Sequence, residues 1–275
     1  KDYFKVISQN TYALAPGAQE HEIVLNNAGG DDRKVAHIIE VDPNNTDIEI
    51  LPGYYEIDKF DPEDSSTWKT AGVTAVADYY ANELDYNVVG AMNTALQYTN
   101  NAPYGFMVYN GQVLANNDLA KGAQTYLAVT KKDDGTVEFD LRSISEALHG
   151  DEWQAVSANF GWLVNDGKLS STSVERTSSD ASRSMLGIKA DGTLVICQVD
   201  GRNAPISTGL SNYEMGEMML ALGCVYAVNG DGGGSSSFVT KRSGSDELVM
   251  RSVPSDGSER PTINSIIVVS KAGAS

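Results

Sequence analysis

The 275-residue sequence predicts an α+β fold: a largely antiparallel or mixed β-sheet core with a few packed helices, in a single domain. Three observations predict it. Four tight-turn dipeptides, Asn110-Gly111, Asp134-Gly135, Asp166-Gly167 and Asp191-Gly192, each lie between apolar or β-branched segments. Asn, Asp and Gly tolerate positive φ, which two-residue hairpin connections require. Short apolar runs bounded by turn residues recur along the chain, and only two segments carry helical spacing.

Residues 1–34 read as a strand-rich lead-in to the same domain, and residues 35–275 as its body. Residues 36–41 and 46–51 read as strands separated by Asp42-Pro43-Asn44-Asn45. Residues 73–84 place Val73, Val76, Ala77, Tyr80 and Leu84 at helical intervals. The Ser- and Thr-rich stretch 170–184 is expected to be an active-site flap or surface excursion. Residues 211–222 predict a second helix. Ser211 with Glu214 has the spacing of a capping box, Met215, Met218, Met219 and Leu222 make one apolar stripe, and Gly223 can terminate the helix. Strand character resumes at 224–228, 238–240, 248–250 and 263–269.

Hydrophobic residues make up 41% and charged residues 21% of the chain, ordinary globular values. No run reaches the roughly 18 apolar residues of a membrane span. Lys1 to Gln9 has no signal-peptide hydrophobic region. The net charge of −17 and pI near 4.4 repel nucleic acid and anionic membranes. Cys197 and Cys224 lie in apolar runs without a CxxC pair, so two buried thiols are expected rather than a disulfide or a zinc motif.

The loop Asn229-Gly230-Asp231-Gly232-Gly233-Gly234-Ser235-Ser236 carries the strongest chemical signal. Consecutive glycines let the backbone approach a ligand, and successive N–H groups can form an anion-binding nest. The G-K-[ST] ending of a Walker loop is absent. A run of glycines and serines can equally be a flexible surface loop. Its place directly after an apolar strand favours the nest. If Asp191-Gly192 closes a hairpin, then Arg183 and Asp200-Gly201-Arg202 lie at the same end of it. A surface ion-pair group is the alternative reading of those three charges. Asp256-Gly257-Ser258-Glu259-Arg260-Pro261 precedes the last strand.

These pieces, in this order, resemble the phosphodiester glycosidase family. Its pattern is an Asn-Ala strand end, an Arg-Thr-x-x-Gly strand, an Asp-Gly-Arg strand end, an amphipathic helix, an Asp-Gly-Gly-Gly-Ser loop and a late Glu-Arg segment. Asn93, Arg183 with Gly187, Asp200-Gly201-Arg202, the Ser211 helix, Asn229 with Asp231–Ser236, and Glu259-Arg260 with Asn264 match these parts. The sequence departs from the pattern at Ala181-Ser182, where the family has His-Pro, at Ser184 for threonine, and at Gly230 for a bulky residue. Ala95-Leu96-Gln97 stand where an aromatic pair follows the Asn-Ala element, with Tyr98, Tyr104 and Phe106 nearby.

The resemblance implies a secreted or cell-surface hydrolase acting on a sugar-1-phosphodiester in a glycan or polymer. A phosphate leaves far more readily than a sugar alkoxide, and arginine can stabilise its charge. Asp231 and Asp200 are then the catalytic carboxylates, with Asp231 nearest the reaction, and Arg183 and Arg202 act with them. Gly232, Gly233, Gly234, Ser235, Ser236 and Arg260 would hold phosphate oxygens; Asn93 and Asn229 would orient phosphate or sugar hydroxyls. No cofactor is expected, although structural calcium or magnesium fits the aspartates. Two rival readings remain: a non-catalytic module binding phosphorylated or acidic glycans, and a metal-dependent phosphodiesterase using Asp200 and Asp231 as hard ligands. His21, His37 and His149 lie far from these motifs in sequence, which argues against a transition-metal site.

Overall fold

The computed structural model describes residues 2–96, 101–103, 105–116, 124–159, 161–171 and 178–272. Gln97, Tyr98, Tyr104 and residues 172–177 of the Ser/Thr-rich stretch lie outside the described residues.

The described residues form three sheets. The eight-stranded sheet has the order β1 (Phe4–Ala15), β2 (Ala18–Asn27), β3 (Arg33–Val41), β14 (Leu194–Val199), β13 (Arg183–Lys189), β15 (Cys224–Asn229), β11 (Trp162–Asn165), β12 (Lys168–Leu169). One five-stranded sheet runs β7 (Gln112–Asn116), β6 (Phe106–Tyr109), β10 (Gln154–Ser157), β8 (Thr125–Lys131), β9 (Val137–Ser143). The other runs β17 (Val249–Met250), β16 (Phe238–Thr240), β5 (Asn87–Asn93), β18 (Ser265–Ser270), β4 (Ile48–Gly53). Every strand pairing among the described residues is antiparallel.

The expectation of packed helices overstates their share. Among the described residues the α-helices are α1 (Val73–Asn82) and α2 (Asn212–Ala221), with the rest of the helical backbone in single 3-10 turns. The chain is β-rich, because its apolar residues mostly recur at the two-residue period of strands. All four turn dipeptides do join paired strands: β6 with β7, β8 with β9, β11 with β12, and β13 with β14.

The central core lies where the three sheets meet, joining Ile39, Leu186 and Ile196 to Leu127 and Phe139, and to Met92, Phe238 and Val268. β18 shows how strands serve two layers. Ile266 and Val268 face this core, while Ile267 and Val269 face α1 through Val73, Val76, Ala77 and Tyr80. Its unbroken apolar run thus reflects burial on both faces. α2 covers the outer face of the eight-stranded sheet with Met215, Met218 and Met219 against Met185, Cys197 and Ala227. Ser211 and Glu214 form the predicted capping box. Cys197 and Cys224 are buried free thiols, and burial pushes Cys224 up to about 12.

Candidate active site

The β13–β14 hairpin does bring two of the charged motifs together. Its register pairs Arg183 with Val199, so Arg183 and Asp200-Gly201-Arg202 emerge at one end. β15 is the other neighbour of β13 and pairs Asn229 with Met185. The glycine loop therefore starts beside Arg183. The segment before β18 adds Arg260. Together they wall a cleft of about 460 Å³ lined by Arg183, Arg202, Arg260, Asn229, Asp231 and Gly230 to Gly234, and closed by Ser178, Ser179, Ala181 and Asn212.

The three arginines differ in what holds them. Arg260 donates to Asp256 through Nε at 3.0 Å and Nη2 at 2.5 Å, and Nη1 reaches Ser235 Oγ at 3.4 Å. Arg183 and Arg202 form no ion pair among the described residues. Arg183 is fixed instead by two carbonyls and a hydroxyl: Nε donates to Leu210 O at 2.8 Å, and Nη2 to Ser179 O at 3.0 Å and Ser178 Oγ at 3.3 Å. Burial, and then the nearby Arg202 charge, hold its pKa below the ordinary arginine value. Arg202 has φ +54°, a left-handed backbone that a side chain adopts at a cost, and its N–H donates to Thr208 O at 3.2 Å. Two guanidiniums that make no ion pair among the described residues thus line one cleft, in a chain of net charge −17.

Among the described residues, Asp231 is the carboxylate that lines this cleft. Its pKa is raised by burial, against the lowering effects of the Ser235 hydroxyl, the Arg260 charge and the Gly232 N–H. Its main chain is clamped from both sides: Asp231 N–H donates to Thr94 O at 2.7 Å, and Asp231 O accepts from Asn93 Nδ2 at 2.7 Å.

The glycines are explained by packing more than by an open nest. Gly230 N–H donates to Ser184 O, Gly233 N–H to Ser182 O, Ser235 N–H to Gly232 O and Ser236 N–H to Gly233 O. Those four donors, with that of Asp231, are spent inside the protein and do not point at a ligand. A Cβ on Gly232 would lie 2.6 Å from Ser182 O. One on Gly234 would lie 2.0 Å from Asp256 Oδ2 and 2.3 Å from Arg260 Nη2. The loop needs glycine to press against the β13 end and to let the Asp256–Arg260 pair cross it.

Four of the residues singled out from sequence stand behind the cleft wall. Asn93 and Ser236 are fully enclosed, and Ser235 nearly so. Asp200 is 3% exposed; Oδ1 accepts from Gln198 Nε2 at 3.1 Å and Val253 N–H at 3.0 Å, and Oδ2 lies 3.3 Å from His37 Nε2. Its oxygens are occupied, and it does not line the cleft with Asp231. The separation follows from the backbone turn at Arg202, which sends the arginine outward while the strand face keeps Asp200 inward. Among the described residues no group of three or more His, Cys, Asp or Glu is arranged to hold a metal.

The sequence reading did not single out Ser178, Ser179 or Asn212, and named Ala181 only as a departure from the family pattern, although Ser178, Ser179 and Ala181 fall in the stretch flagged as a flap. Asp256, the partner of Arg260, carried no signal beyond lying four residues before it. Glu259 turns away: Oε1 accepts Thr74 N–H at 2.9 Å and so caps α1, whose own N-cap, Gly72, has no side chain to do it.

Comparison with known proteins gives one family and several folds of the same kind. The phosphodiester glycosidase family model matches residues 86–269. A SPbeta prophage-derived uncharacterized protein of Bacillus subtilis (strain 168), YomE, is 31% identical over 188 residues, which is 66% of this chain and 28% of that protein. The chain thus spans less than a third of the length of this relative. The catalytic domain of zebrafish N-acetylglucosamine-1-phosphodiester alpha-N-acetylglucosaminidase, auto-inhibited by its pro-peptide, superposes with a TM-score of 0.65 at 17% identity, covering 96% of this chain and 88% of that one. A hypothetical protein from Synechocystis gives 0.63 at 14%, covering 96% and 64%. A presumed exported protein from Burkholderia pseudomallei gives 0.58 at 14%, covering 86% and 74%. At these identities the superpositions speak to the fold alone.

Proposed function

This chain belongs to the phosphodiester glycosidase family, and on that premise we propose that it hydrolyses the bond between the anomeric carbon of a sugar and a phosphate, in a glycan or cell-surface polymer. The observation that carries the reading is the convergence of Arg183 and Arg202, neither paired with a carboxylate among the described residues, on a cleft whose carboxylate is Asp231.

In this reading Arg183 and Arg202 take the two non-bridging phosphate oxygens. Arg260, anchored by Asp256, sits between the phosphate and Asp231. The departing group is a phosphate monoester anion, so its bridging oxygen needs no proton from a general acid. One carboxylate then suffices for the chemistry. Asp231 stabilises the positive charge that develops at the anomeric carbon and accepts a proton from the attacking water. Asn93 holds the Asp231 main chain, and Asn229, on the cleft wall, faces the sugar or phosphate. A secreted or cell-surface setting suits a polymer substrate, and no helix among the described residues is long and apolar enough to cross a membrane.

The test is hydrolysis of an N-acetylglucosamine-1-phosphodiester and of further sugar-1-phosphodiesters by the wild type and by Asp231→Asn. The variant is expected to keep its melting temperature and its phosphate binding while losing turnover. Near-wild-type turnover would sink the assignment of Asp231. Binding of the diester by the wild type with no product from any of them would indicate a non-catalytic glycan-binding module instead.

A further inference from the structure

The central core has a polar end, and it lies directly under the cleft. Across β3, β14 and β13 the face turned to this core is built of cross-strand rungs. Val41, Leu194 and Ile188 form one, and Ile39, Ile196 and Leu186 the next. The third rung, by the same register, is His37, Gln198 and Ser184, three polar residues that are 2% exposed or less. Strand alternation asks for apolar side chains at these positions as it does in the two rungs before.

Gln198 is the centre of that rung. Its Nε2 donates both to Asp200 Oδ1 at 3.1 Å and to Ser236 Oγ at 3.0 Å. Turning the amide over would set Oε1 against the Asp200 carboxylate, so the orientation is fixed. The cost is visible: Gln198 Oε1 is buried with no hydrogen-bond partner among the described residues, and an unpaired buried acceptor destabilises the fold. Leucine, the usual residue of this face, would carry no such penalty.

From Gln198 the contacts run unbroken to the cleft. Ser236 Oγ lies 3.1 Å from Ser184 Oγ and 3.3 Å from Arg183 O. Ser184 Oγ donates to Asn93 Oδ1 at 2.8 Å, which also accepts Ser237 N–H at 3.0 Å. Asn93 Nδ2 then donates to Asp231 O at 2.7 Å. We propose that Gln198 is a positioning residue: through Ser236, Ser184 and Asn93 it sets the main chain of Arg183 and Asp231, and so the distance between guanidinium and carboxylate. This rests on the hydrolase reading for its consequence in turnover, but its geometry stands apart from it.

The experiment compares Gln198→Leu, Ser236→Ala and the double variant. The readouts are kcat and KM on an N-acetylglucosamine-1-phosphodiester, Kd for inorganic phosphate, melting temperature, and the ¹³C-carboxyl NMR titration of Asp231. Gln198→Leu is expected to lower kcat about 10- to 100-fold, the scale of an ångström-level misplacement. KM and phosphate Kd should stay within about threefold, the melting temperature should hold or rise, and the Asp231 titration should move. The double variant should be no worse than the poorer single one, because both break one link. Unchanged kcat and titration, additive losses in the double variant, or a fall in melting temperature that tracks the loss of activity would each overturn the proposal. Should Gln198→Leu not fold, Ser236→Ala reads the same link from its other end. A wild type inactive on the diester would fail the hydrolase reading alone, since the Asp231 titration still tests the positioning.

Discussion

Replacing Arg202 with glycine should move stability and activity in opposite directions. Arg202 adopts φ +54°, and a left-handed conformation costs an L-residue about 1–2 kcal/mol. Glycine removes that cost but loses about 0.5–1 kcal/mol through its freer unfolded chain. The balance is a gain of about 0.5 kcal/mol. At about 2–4 °C per kcal/mol for a domain near this size, the melting point should rise by about 1–2 °C. The backbone bond from residue 202 to Thr208 O needs no side chain and survives. What disappears is a guanidinium with no carboxylate partner among the described residues, hence one charge-assisted hydrogen bond to the phosphate, worth about 1.5–3 kcal/mol. With 1.4 kcal/mol per tenfold, kcat/KM should drop about 10- to 150-fold, and phosphate affinity with it. Steady-state kinetics, calorimetric titration with phosphate and a thermal melt on one preparation decide the matter. Activity within about twofold of wild type, or a melting point that falls together with activity, would refute the idea that Arg202 is held in strain for the anion.

Three further outcomes follow from named contacts. Arg260→Met removes the charge that lowers the Asp231 pKa. If Asp231 must be ionised to accept a proton, activity rises with pH through its pKa, so the acid limb of the pH–kcat profile should move to higher pH; a limb that stays put or moves lower argues against Asp231 as the base. Gly234→Ala forces a methyl onto the Asp256–Arg260 pair, and is expected to destabilise by about 1–3 kcal/mol and weaken turnover, read by urea melts and kinetics. Glu152 accepts N–H groups from His149 and Gly150 at 2.7 and 2.8 Å, and donors from Tyr126 and Arg142. Burial alone would raise its pKa, but these bonds win and hold it below the ordinary glutamate value. Its contribution is therefore complete above its ordinary pKa and lost as pH falls below it. The stability gap between wild type and Glu152→Gln, measured by urea midpoints, should shrink from pH 7 to pH 3; a constant gap would contradict this.

Much of the local structure was legible from residues. Asp191-Gly192 alone implied that Arg183 and Asp200-Gly201-Arg202 share an end, because a tight turn pairs residues nearly equidistant from it; in the structure Ala190, Asp191 and Gly192 join the pair Lys189–Thr193. The Ser211–Glu214 cap and the Met215–Met219 stripe were equally local. Both expected helices, in 73–84 and 211–222, form, but strands outweigh them because much of 1–34 and 105–165 is strand, in pairs whose stability comes from packing between neighbours rather than from a local pattern.

The sequence by itself determined the hairpin turns and the capped helix, since each depends on residues close together in the chain, and it carried the family pattern as an ordered series of short motifs from Asn93 to Asn264. Only the tertiary structure decided which of those residues meet the cleft. Asp200 and Arg202 are two positions apart, yet a left-handed backbone sends one outward and leaves the other among buried donors. The glycine loop has its composition because β13 and the Asp256–Arg260 pair press against it from elsewhere in the chain. Asn93, on another sheet, holds Asp231 through a main-chain carbonyl, a contact that no pattern of side chains along the sequence encodes.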